Sequence, residues 1–416
     1  MFDYDKWQEI YLTIKRHKLR TALTAFGVFW GIFMLVVLLG AGNGLRNGVE
    51  ANFDIAKNTV FVWTERTSLP YKGFKPGRWI ELDNNDLEAI RNNISEIKVI
   101  APRNSMGGEF QISRNKKSAA FRVMGDYPSF TKVKPMAITR GRFINDIDID
   151  QRRKIAIVGD QVVDQLFEPD EDPIGQYILI RGVNFHIVGI FKSLLRGDDA
   201  FRDAQRIYIP NTTMQLAFNQ GDAIGWFAFI PQDGIPASVV EQKVKKLLAR
   251  RHIVHPDDRE AFGSENVEEE YLKIQGLFAG IKGFSWLVAI GTIVAGMVGV
   301  GNIMMIIVRE RTKEIGVRKS LGAQPWSIIN MIIQESLVIT GLSGYFGLVL
   351  GVALIEGINF LLINFDMESE YFANPEIDFH VAVSAILVLL VAGTVAGLIP
   401  GIRAAKVNPM LALRDE

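Results

Sequence analysis

Four long stretches without Asp, Glu, Lys or Arg constrain this chain more than any other feature. They lie at 21–45, 284–308, 337–355 and 379–402. A helix needs about 20 apolar residues to cross a hydrocarbon core about 30 Å thick, and buried core helices seldom run so far without a charge. We predict four transmembrane helices, with the third extended to cover 337–364. The first run is too long for the core of a signal peptide and lacks a clear cleavage site, so we expect it to remain as an anchor.

Basic residues are distributed unevenly between the connections. They cluster at 15–20, at 309–319 and at 403–406, whereas the connection 365–378 carries five acidic residues and no lysine or arginine. Positively charged connections stay on the cytoplasmic side of a membrane. We therefore expect both termini, including a tail at 403–416, and the connection 309–336 in the cytoplasm, and 46–283 outside it.

The residues before the first span carry a further membrane signal. Trp7, Ile10, Tyr11 and Ile14 recur at helical spacing beside lysine and glutamate, a pattern typical of a helix that lies in the bilayer interface. We predict an interfacial helix at 1–20, the alternative being a solvated helical tail.

Small residues recur four positions apart within the predicted spans. This spacing lets helix backbones approach closely. The predicted packing positions are Gly27 with Gly31, Gly291 with Ala295 and Gly299, Gly347 with Gly351, and Gly393 with Gly397.

The external segment 46–283 has the composition of a soluble α+β domain. Short β-branched or aromatic runs such as "TVFVWTE", "KIAIVG", "FHIVGIF" and "GWFAFIP" predict strands, and helices are expected after an N-cap at Asp83 or Asn84 and another at Ser238. A strand and a helix recur at both ends. We predict βα halves and stalk helices at about 46–104 and 216–283, with a β-rich insertion at about 105–215.

The sequence contains few residues that indicate a catalytic, cofactor-binding or metal-binding site. A net charge near zero and the absence of cysteine give no reason to expect nucleic-acid binding or a disulfide scaffold, and neither G-x-S-x-G nor a P-loop motif occurs. His255 with Asp257 and Asp258 matches no standard metal spacing and is better explained as a loop. We expect no enzymatic activity, cofactor or metal site. Glu335 and Glu356 sit near the ends of the third span, where a helix-to-helix contact or an edge anchor is favoured over a proton relay.

A polar segment, "RERTKEIGVRKSLGAQP" at 309–325, separates the second and third spans. The second span can continue into it as a helix, which Gly322 and Pro325 then break before Trp326 re-enters the interface. The residues alone leave two interpretations open. The segment is either a rigid charged elbow that a partner contacts or a loop that only sets topology.

Resemblance to a family decides between them. "RERTKEIGVRKSLGAQPWSIINMIIQES" resembles the cytoplasmic loop signature of the MacB/FtsX-like family of ABC transporter permeases. "KLRTALTAFGVFWGI" is similar to the entry helix of that family, "GLIPGIRAAKVNPMLALRDE" to its tail, and "IVGDQVVDQLFEPDEDPIGQYILIRGVNFHIVGIF" to the MacB-type periplasmic core domain. His17, Trp30 and Phe33 depart from the usual family residues and bear on the subfamily.

The resemblance implies a paired permease, with a second identical or related copy, and a periplasmic head of Porter-like and Sabre-like subdomains. It also implies that the loop docks on an ABC ATPase. Since only about 20 residues precede the first span, we expect that ATPase, which would bind the ATP, as a separate polypeptide. The residues that the resemblance assigns to ATPase coupling are Arg309, Arg311, Lys313, Glu314, Ile315, Gly316, Arg318, Lys319, Gly322 and Ala323.

The expected function is export or mechanotransmission at the bacterial inner membrane. ATP-driven movement of the ATPase would be passed through stiff helices to the head, which would help to expel a drug, peptide or other small molecule through a periplasmic adaptor and an outer-membrane channel. Two alternatives stay open, namely Lol-type extraction of lipoproteins and FtsX-like signalling to a cell-wall hydrolase.

Overall fold

A computed structural model describes residues 18–51, 55–195, 197–365, 372–408 and 410. The interfacial helix predicted at 1–20 therefore lies almost entirely outside the described residues. The chain divides into two compact units. We call Val49–Gly276 the head unit, and Met1–Gly48 together with Leu277–Glu416 the membrane unit.

The helices, in chain order, are α1 (Lys18–Ala51), α2 (Asn84–Asn93), α3 (Phe130–Val133), α4 (Asp146–Asp150), α5 (Asp160–Leu166), α6 (Gly197–Ala204), α7 (Asn211–Ala217), α8 (Ala237–Arg251), α9 (Val267–Glu310), α10 (Thr312–Ser320), α11 (Pro325–Asn364) and α12 (Phe379–Ala405). The strands are β1 (Val60–Thr64), β2 (Leu82–Asp83), β3 (Ile97–Ser105), β4 (Phe110–Arg114), β5 (Lys117–Asp126), β6 (Ala137–Gly141), β7 (Ile155–Gly159), β8 (Tyr177–Ile180), β9 (Val183–Lys192), β10 (Arg206–Pro210), β11 (Ala223–Ile224), β12 (Trp226–Pro231) and β13 (Phe262–Asn266).

Four of these helices, α1, α9, α11 and α12, are long and apolar enough to cross a membrane. They contain the four charge-free runs of the sequence, and three of them extend well beyond those runs because polar residues continue the helical hydrogen bonding. The 44 residues of α9 give it a length of about 66 Å at 1.5 Å per residue. Three of the spans are therefore parts of longer helices.

One part of the head unit is a four-stranded antiparallel sheet with two helices. Its strand order is β13–β1–β12–β3, and the helices α2 and α8 connect β1 to β3 and β12 to β13. This is the ferredoxin-like arrangement of two βαβ-type halves. Buried side chains from the sheet and both helices share one core, which includes Val62, Ile90, Phe227 and Val244.

The other part of the head unit is a closed barrel. Strand β5 pairs with β4, and the ladder continues through β8, β9, β7 and β10 until β10 pairs with β5 again. Closing a sheet removes its open edges. The interior is filled by aliphatic and aromatic side chains such as Ile112, Phe121, Phe185 and Ile207.

A buried cluster of charges lies where β3 meets β5, the junction between sheet and barrel. Nε and Nη2 of Arg103 each lie 2.5 Å from a carboxylate oxygen of Asp126, and both side chains are almost fully buried. Nζ of Lys134 lies 2.7 Å from Oδ1 of Asp203. The guanidinium carbon of Arg103 lies 3.4 Å from the centre of the Phe130 ring. Paired and hydrogen-bonded in this way, buried charges are tolerated.

One of the predicted helix caps is correct and the other is wrong. Asp83 caps α2 and forms a reciprocal capping box with Asp86. Helix α8 begins at Ala237, with Pro236 and not Ser238 at the N-cap position. The capping oxygen comes from elsewhere, since the Ala237 N–H donates to Oε2 of Glu268 at 2.7 Å.

Candidate functional site

The polar segment 309–325, which we call the elbow, has its own short helix. The prediction that α9 continues through it is wrong in one detail, because α9 ends at Glu310 and α10 begins at Thr312. Arg311 adopts φ −93° and ψ 14° at this break. The Arg311 N–H still donates to Ile307 O at 2.9 Å and the Ile315 N–H to Arg311 O at 3.0 Å, so i to i−4 hydrogen bonding continues on both sides of the break.

Gly322 ends α10 as the sequence suggests. Its φ of +93° is favourable for glycine and strained for other residues. The Gly322 N–H donates to Lys319 O and the Ala323 N–H to Arg318 O, each at 3.0 Å, the bond pattern of a Schellman motif. Pro325 then occupies the first turn of α11, where a missing N–H costs nothing.

The elbow has a buried side and an exposed side. Ile315 is 1% exposed and belongs to the same core as Ile307 and Ile328, and Gly316 beside it is also buried. The exposed side mixes charge with apolar surface. Its exposed residues include Lys313, Glu314, Val317, Arg318 and Leu321, of which Leu321 is 82% exposed, and Trp326 directly after the elbow is exposed as well.

Within the part of the chain that the structure describes, side chains of the elbow contact both helices that follow it. Nη1 of Arg311 lies 3.6 Å from Oε2 of Glu335 in α11. Nη1 of Arg318 lies 2.6 Å from Sδ of Met331, also in α11. Nζ of Lys319 donates to the carbonyl oxygens of Ala405 and Val407, both at 2.7 Å.

Two outcomes follow for the sequence predictions. Glu335 is 4% exposed and makes a helix-to-helix ion pair, which is one of the roles expected for it. The contact between Lys319 and the end of α12 was not anticipated. A lysine beside a helix end in space but 86 residues away in sequence leaves no local pattern to detect.

The glycines predicted to pack lie at close helix contacts. A Cβ on Gly27 would lie 3.3 Å from Gly296 Cα and one on Gly31 would lie 2.9 Å from Thr292 Oγ1, which places α1 against α9. A Cβ on Gly347 would lie 2.6 Å from Phe29 O and one on Gly351 would lie 2.7 Å from Val36 Cγ1.

The remaining predicted glycines give a mixed result. A Cβ on Gly397 would lie 2.9 Å from Ile333 Cα, and Gly393 faces Thr340 and Leu337, so both join α12 to α11. Among the described residues, no atom of this chain comes within 4 Å of a Cβ built on Gly291, so the packing predicted there is not made within the chain. Gly296 makes the close contact between α9 and α1.

The acidic loop of the head unit has a structural role. Asp258 accepts hydrogen bonds from the Ser68 N–H and hydroxyl, both at 2.8 Å, and from the Leu69 N–H at 3.0 Å. Burial alone would raise the pKa of Asp258, but these and neighbouring hydrogen bonds hold it below its usual range. The carboxylate of Asp258 therefore holds the backbone at Ser68 and Leu69 in place. In the same acidic loop, Nδ1 of His255 accepts a hydrogen bond from the Asp257 N–H.

The chain matches two family models in succession. The MacB-like periplasmic core domain matches residues 21–247, more than half of the chain, and the FtsX-like permease C-terminal domain matches residues 286–409. The second match contains the elbow and the helices to which it is attached.

Curated relatives cover nearly the whole chain. It is 27% identical over 406 residues to the macrolide export ATP-binding/permease protein MacB of Bdellovibrio bacteriovorus, covering 97% of this chain and 60% of that protein. It is 27% identical over 401 residues to the pyoverdine export ATP-binding/permease protein PvdT of Pseudomonas entomophila, covering 96% of this chain and 58% of that protein. The chain thus spans about 60% of the length of these relatives.

Two solved structures are similar to part of the chain. The periplasmic region of MacB from Actinobacillus actinomycetemcomitans has a TM-score of 0.44 and 19% identity, and covers 55% of this chain and 98% of that one. The extracellular domain of the ABC-type transporter YknZ from Gram-positive bacteria has a TM-score of 0.42 and 15% identity, and covers 50% of this chain and 100% of that one.

Proposed function

Because the chain belongs to the MacB/FtsX-like family of ABC transporter permeases, we propose that it couples ATP hydrolysis by an ABC ATPase to movement of its head unit. The movement of the head unit drives export of a small molecule or peptide through a periplasmic adaptor and an outer-membrane channel. The permease acts together with a second copy or a related subunit. We favour export over lipoprotein extraction and signalling because the relatives above are named as exporters of macrolides and of pyoverdine.

The exposed side of the elbow is the observation that carries this proposal. Leu321, 82% exposed, and Val317, 44% exposed, lie among charged side chains at the end of a helix whose other side is buried. An apolar centre with a polar rim is the usual composition of a protein interface. We assign this surface to the ATPase.

Transmission requires a stiff connection, and α9 supplies one. It runs without interruption from Val267 beside β13 to Glu310 beside the elbow. ATP-driven closure of the ATPase would displace the elbow, and a continuous helix passes such a displacement along its axis instead of absorbing it in a loop. No residue of this chain is assigned a chemical step, since the ATPase performs the hydrolysis.

The proposal is tested by placing a charge on the apolar anchor. The ABC ATPase is co-expressed with the permease and the amount that co-purifies is measured. Leu321→Asp should lower the retained ATPase at least about tenfold, the equivalent of about 1.4 kcal/mol of binding free energy.

Leu216→Asp is the matched control, because Leu216 is a leucine of the head unit with a similar exposed fraction, 63%. Retention of the ATPase by Leu321→Asp at the parent level would contradict the proposed interface, and the absence of any ATPase with the parent chain would contradict the function.

A further inference from the structure

The end of α12 is held by a side chain from the elbow. The last carbonyl groups of a helix have no partner within it and carry partial negative charge. Nζ of Lys319 lies 2.7 Å from the carbonyl oxygens of Ala405, the last residue of α12, and of Val407 just beyond it. A single ammonium group therefore satisfies two acceptors at this terminus.

Lys319 serves α12 although it belongs to the last turn of another helix. A basic residue in the final turn ordinarily complements the dipole of its own helix. The end of α10 is already completed by the Schellman motif at Gly322, whose N–H donates to the carbonyl of Lys319 itself. The ammonium group of Lys319 is consequently available to the neighbouring helix, and it is partly buried there.

The contact does not stand alone. At the other end of α10, the N-cap residue Arg311 pairs with Glu335 of α11, and Ile315 between Arg311 and Lys319 is buried in the core of the membrane unit. The elbow is thus fixed at its start to α11, at its middle to the core and at its end to α12. These attachments, spaced four residues apart on one face, leave α10 little freedom for independent rotation.

We infer that Lys319 is a positioning residue that clamps the terminus of α12 to the elbow, so that the elbow and the adjoining ends of α11 and α12 move as one body. The inference rests on the proposed function, because the force that the clamp would transmit is the one that the ATPase applies to the elbow. Without the clamp, α12 would follow the elbow only through its packing on α11. With it, the displacement of the elbow is passed to α12 directly as well as to α9 and α11.

The absence of cysteine from the chain makes the clamp directly measurable. Spin labels are attached at Ser320→Cys on α10 and Asn408→Cys beyond α12, both of which are exposed, and the distance between them is recorded by pulsed electron resonance in lipid nanodiscs. The parent should give one narrow distance distribution. Lys319→Met should shift it or broaden it at least about twofold, and Lys319→Arg, which keeps the donors, should restore it.

Lys313→Met is the matched control for this measurement, which is made on the permease without the ATPase, because it removes the same charge from an exposed position of the same helix. An unchanged distribution in Lys319→Met, or equal broadening in Lys313→Met, would overturn the clamp. A second measurement adds the ATPase with and without ATP. The parent distance should then stay narrow in both states while Lys319→Met develops a nucleotide-dependent second population; a second population in the parent would also overturn the inference.

The two proposals can fail separately. The distance measurement on the permease alone does not involve the ATPase, so the clamp can be absent while the Leu321→Asp result still supports coupling. If no ATPase associates with the parent, the proposed function fails even where the clamp is found.

Discussion

Asp86 joins the two helices of the ferredoxin-like sheet. It is 1% exposed, and its carboxylate lies 2.7 Å from Nε of Arg251 and 2.8 Å from Nε2 of His252 at the end of α8, while it accepts from the Asp83 N–H at the start of α2. Burial alone would raise the pKa of Asp86, but the hydrogen bonds with His252, Arg251 and Asp83 lower it below its ordinary value. The ionised form therefore stabilises the folded head unit.

This pKa shift gives a pH-dependent prediction for Asp86→Asn. At pH 7 the variant should lose about 2 kcal/mol of unfolding free energy, the value of hydrogen bonds to a buried charge. Since the folded pKa is lowered, the stabilisation is complete above the unfolded pKa of about 3.9 and is lost as the pH falls through the folded value. The difference in free energy of unfolding between parent and variant, measured by denaturation from pH 7 to pH 3, should shrink towards the acid end.

The control for this measurement is Asp233→Asn. Asp233 is 83% exposed and pairs with Lys98 on the surface, so its loss should change stability by less than about 1 kcal/mol at any pH. A loss for Asp86→Asn that stays constant across the pH range would show that packing and not charge is responsible.

At the residue scale, local signals could be read from the sequence and distant ones could not. Asp83 was predictable as a cap because its partner Asp86 lies three residues away, in the spacing of a capping box. Glu268 caps a helix that begins 31 residues earlier. Lys319 reaches a helix end 86 residues later. Such pairs depend on the tertiary fold, which one sequence does not specify by spacing.

At the scale of elements, α11 contains an internal comparison between two glycines. A Cβ on Gly347 would lie 2.6 Å from the backbone oxygen of Phe29 and 3.2 Å from the nitrogen of Phe33, so α1 and α11 would have to separate. Among the described residues, a Cβ on Gly341 would meet no atom within 4 Å. The two positions share a helix and differ in packing.

We therefore expect opposite results from the same substitution at the two positions. Gly347→Ala should destabilise the membrane unit by about 1–3 kcal/mol, the usual cost of overpacking a close contact. Gly341→Ala should be neutral or stabilising by up to about 1 kcal/mol, because alanine favours the helix. The melting temperature in detergent, followed by tryptophan fluorescence, distinguishes them. Equal melting temperatures for the two variants would argue against close packing of α1 on α11.

The elements themselves followed from the sequence where periodicity and length were strong. The four apolar runs appear as the four helices long enough to span a membrane. The predicted strands appear as β1, β7, β9 and β12, in the order "TVFVWTE", "KIAIVG", "FHIVGIF" and "GWFAFIP". The closure of the barrel did not follow, because it depends on β10 pairing with β5, 80 or more residues away in the chain. The break at Arg311 was also missed, since no glycine or proline marks it.

At the scale of the whole molecule, the distribution of basic residues makes a prediction about sidedness. The elbow should face the cytoplasm and the head unit the periplasm. The test uses cells whose outer membrane is permeabilised and whose inner membrane is intact. A membrane-impermeant maleimide should label Lys116→Cys, which is exposed in the head unit. It should label Ser320→Cys, which is exposed in the elbow, only after the inner membrane is opened. Labelling of both cysteines, or of Ser320→Cys alone, in cells with an intact inner membrane would refute the orientation.

The coupling proposed above requires a stiff α9, which Leu272→Pro tests. Leu272 is 58% exposed in the first part of the 44-residue helix, so its side chain contributes little packing. Proline removes one hydrogen bond and clashes with the preceding turn, at a cost of about 3 kcal/mol, and it kinks the helix. Leu272→Ala also removes the leucine side chain, but it leaves the helix straight. Hydrogen exchange of the head unit should respond to ATP in the parent and in Leu272→Ala, and it should lose that response in Leu272→Pro while the ATPase still co-purifies. An ATP response of normal size in Leu272→Pro would mean that force reaches the head unit by a route other than α9.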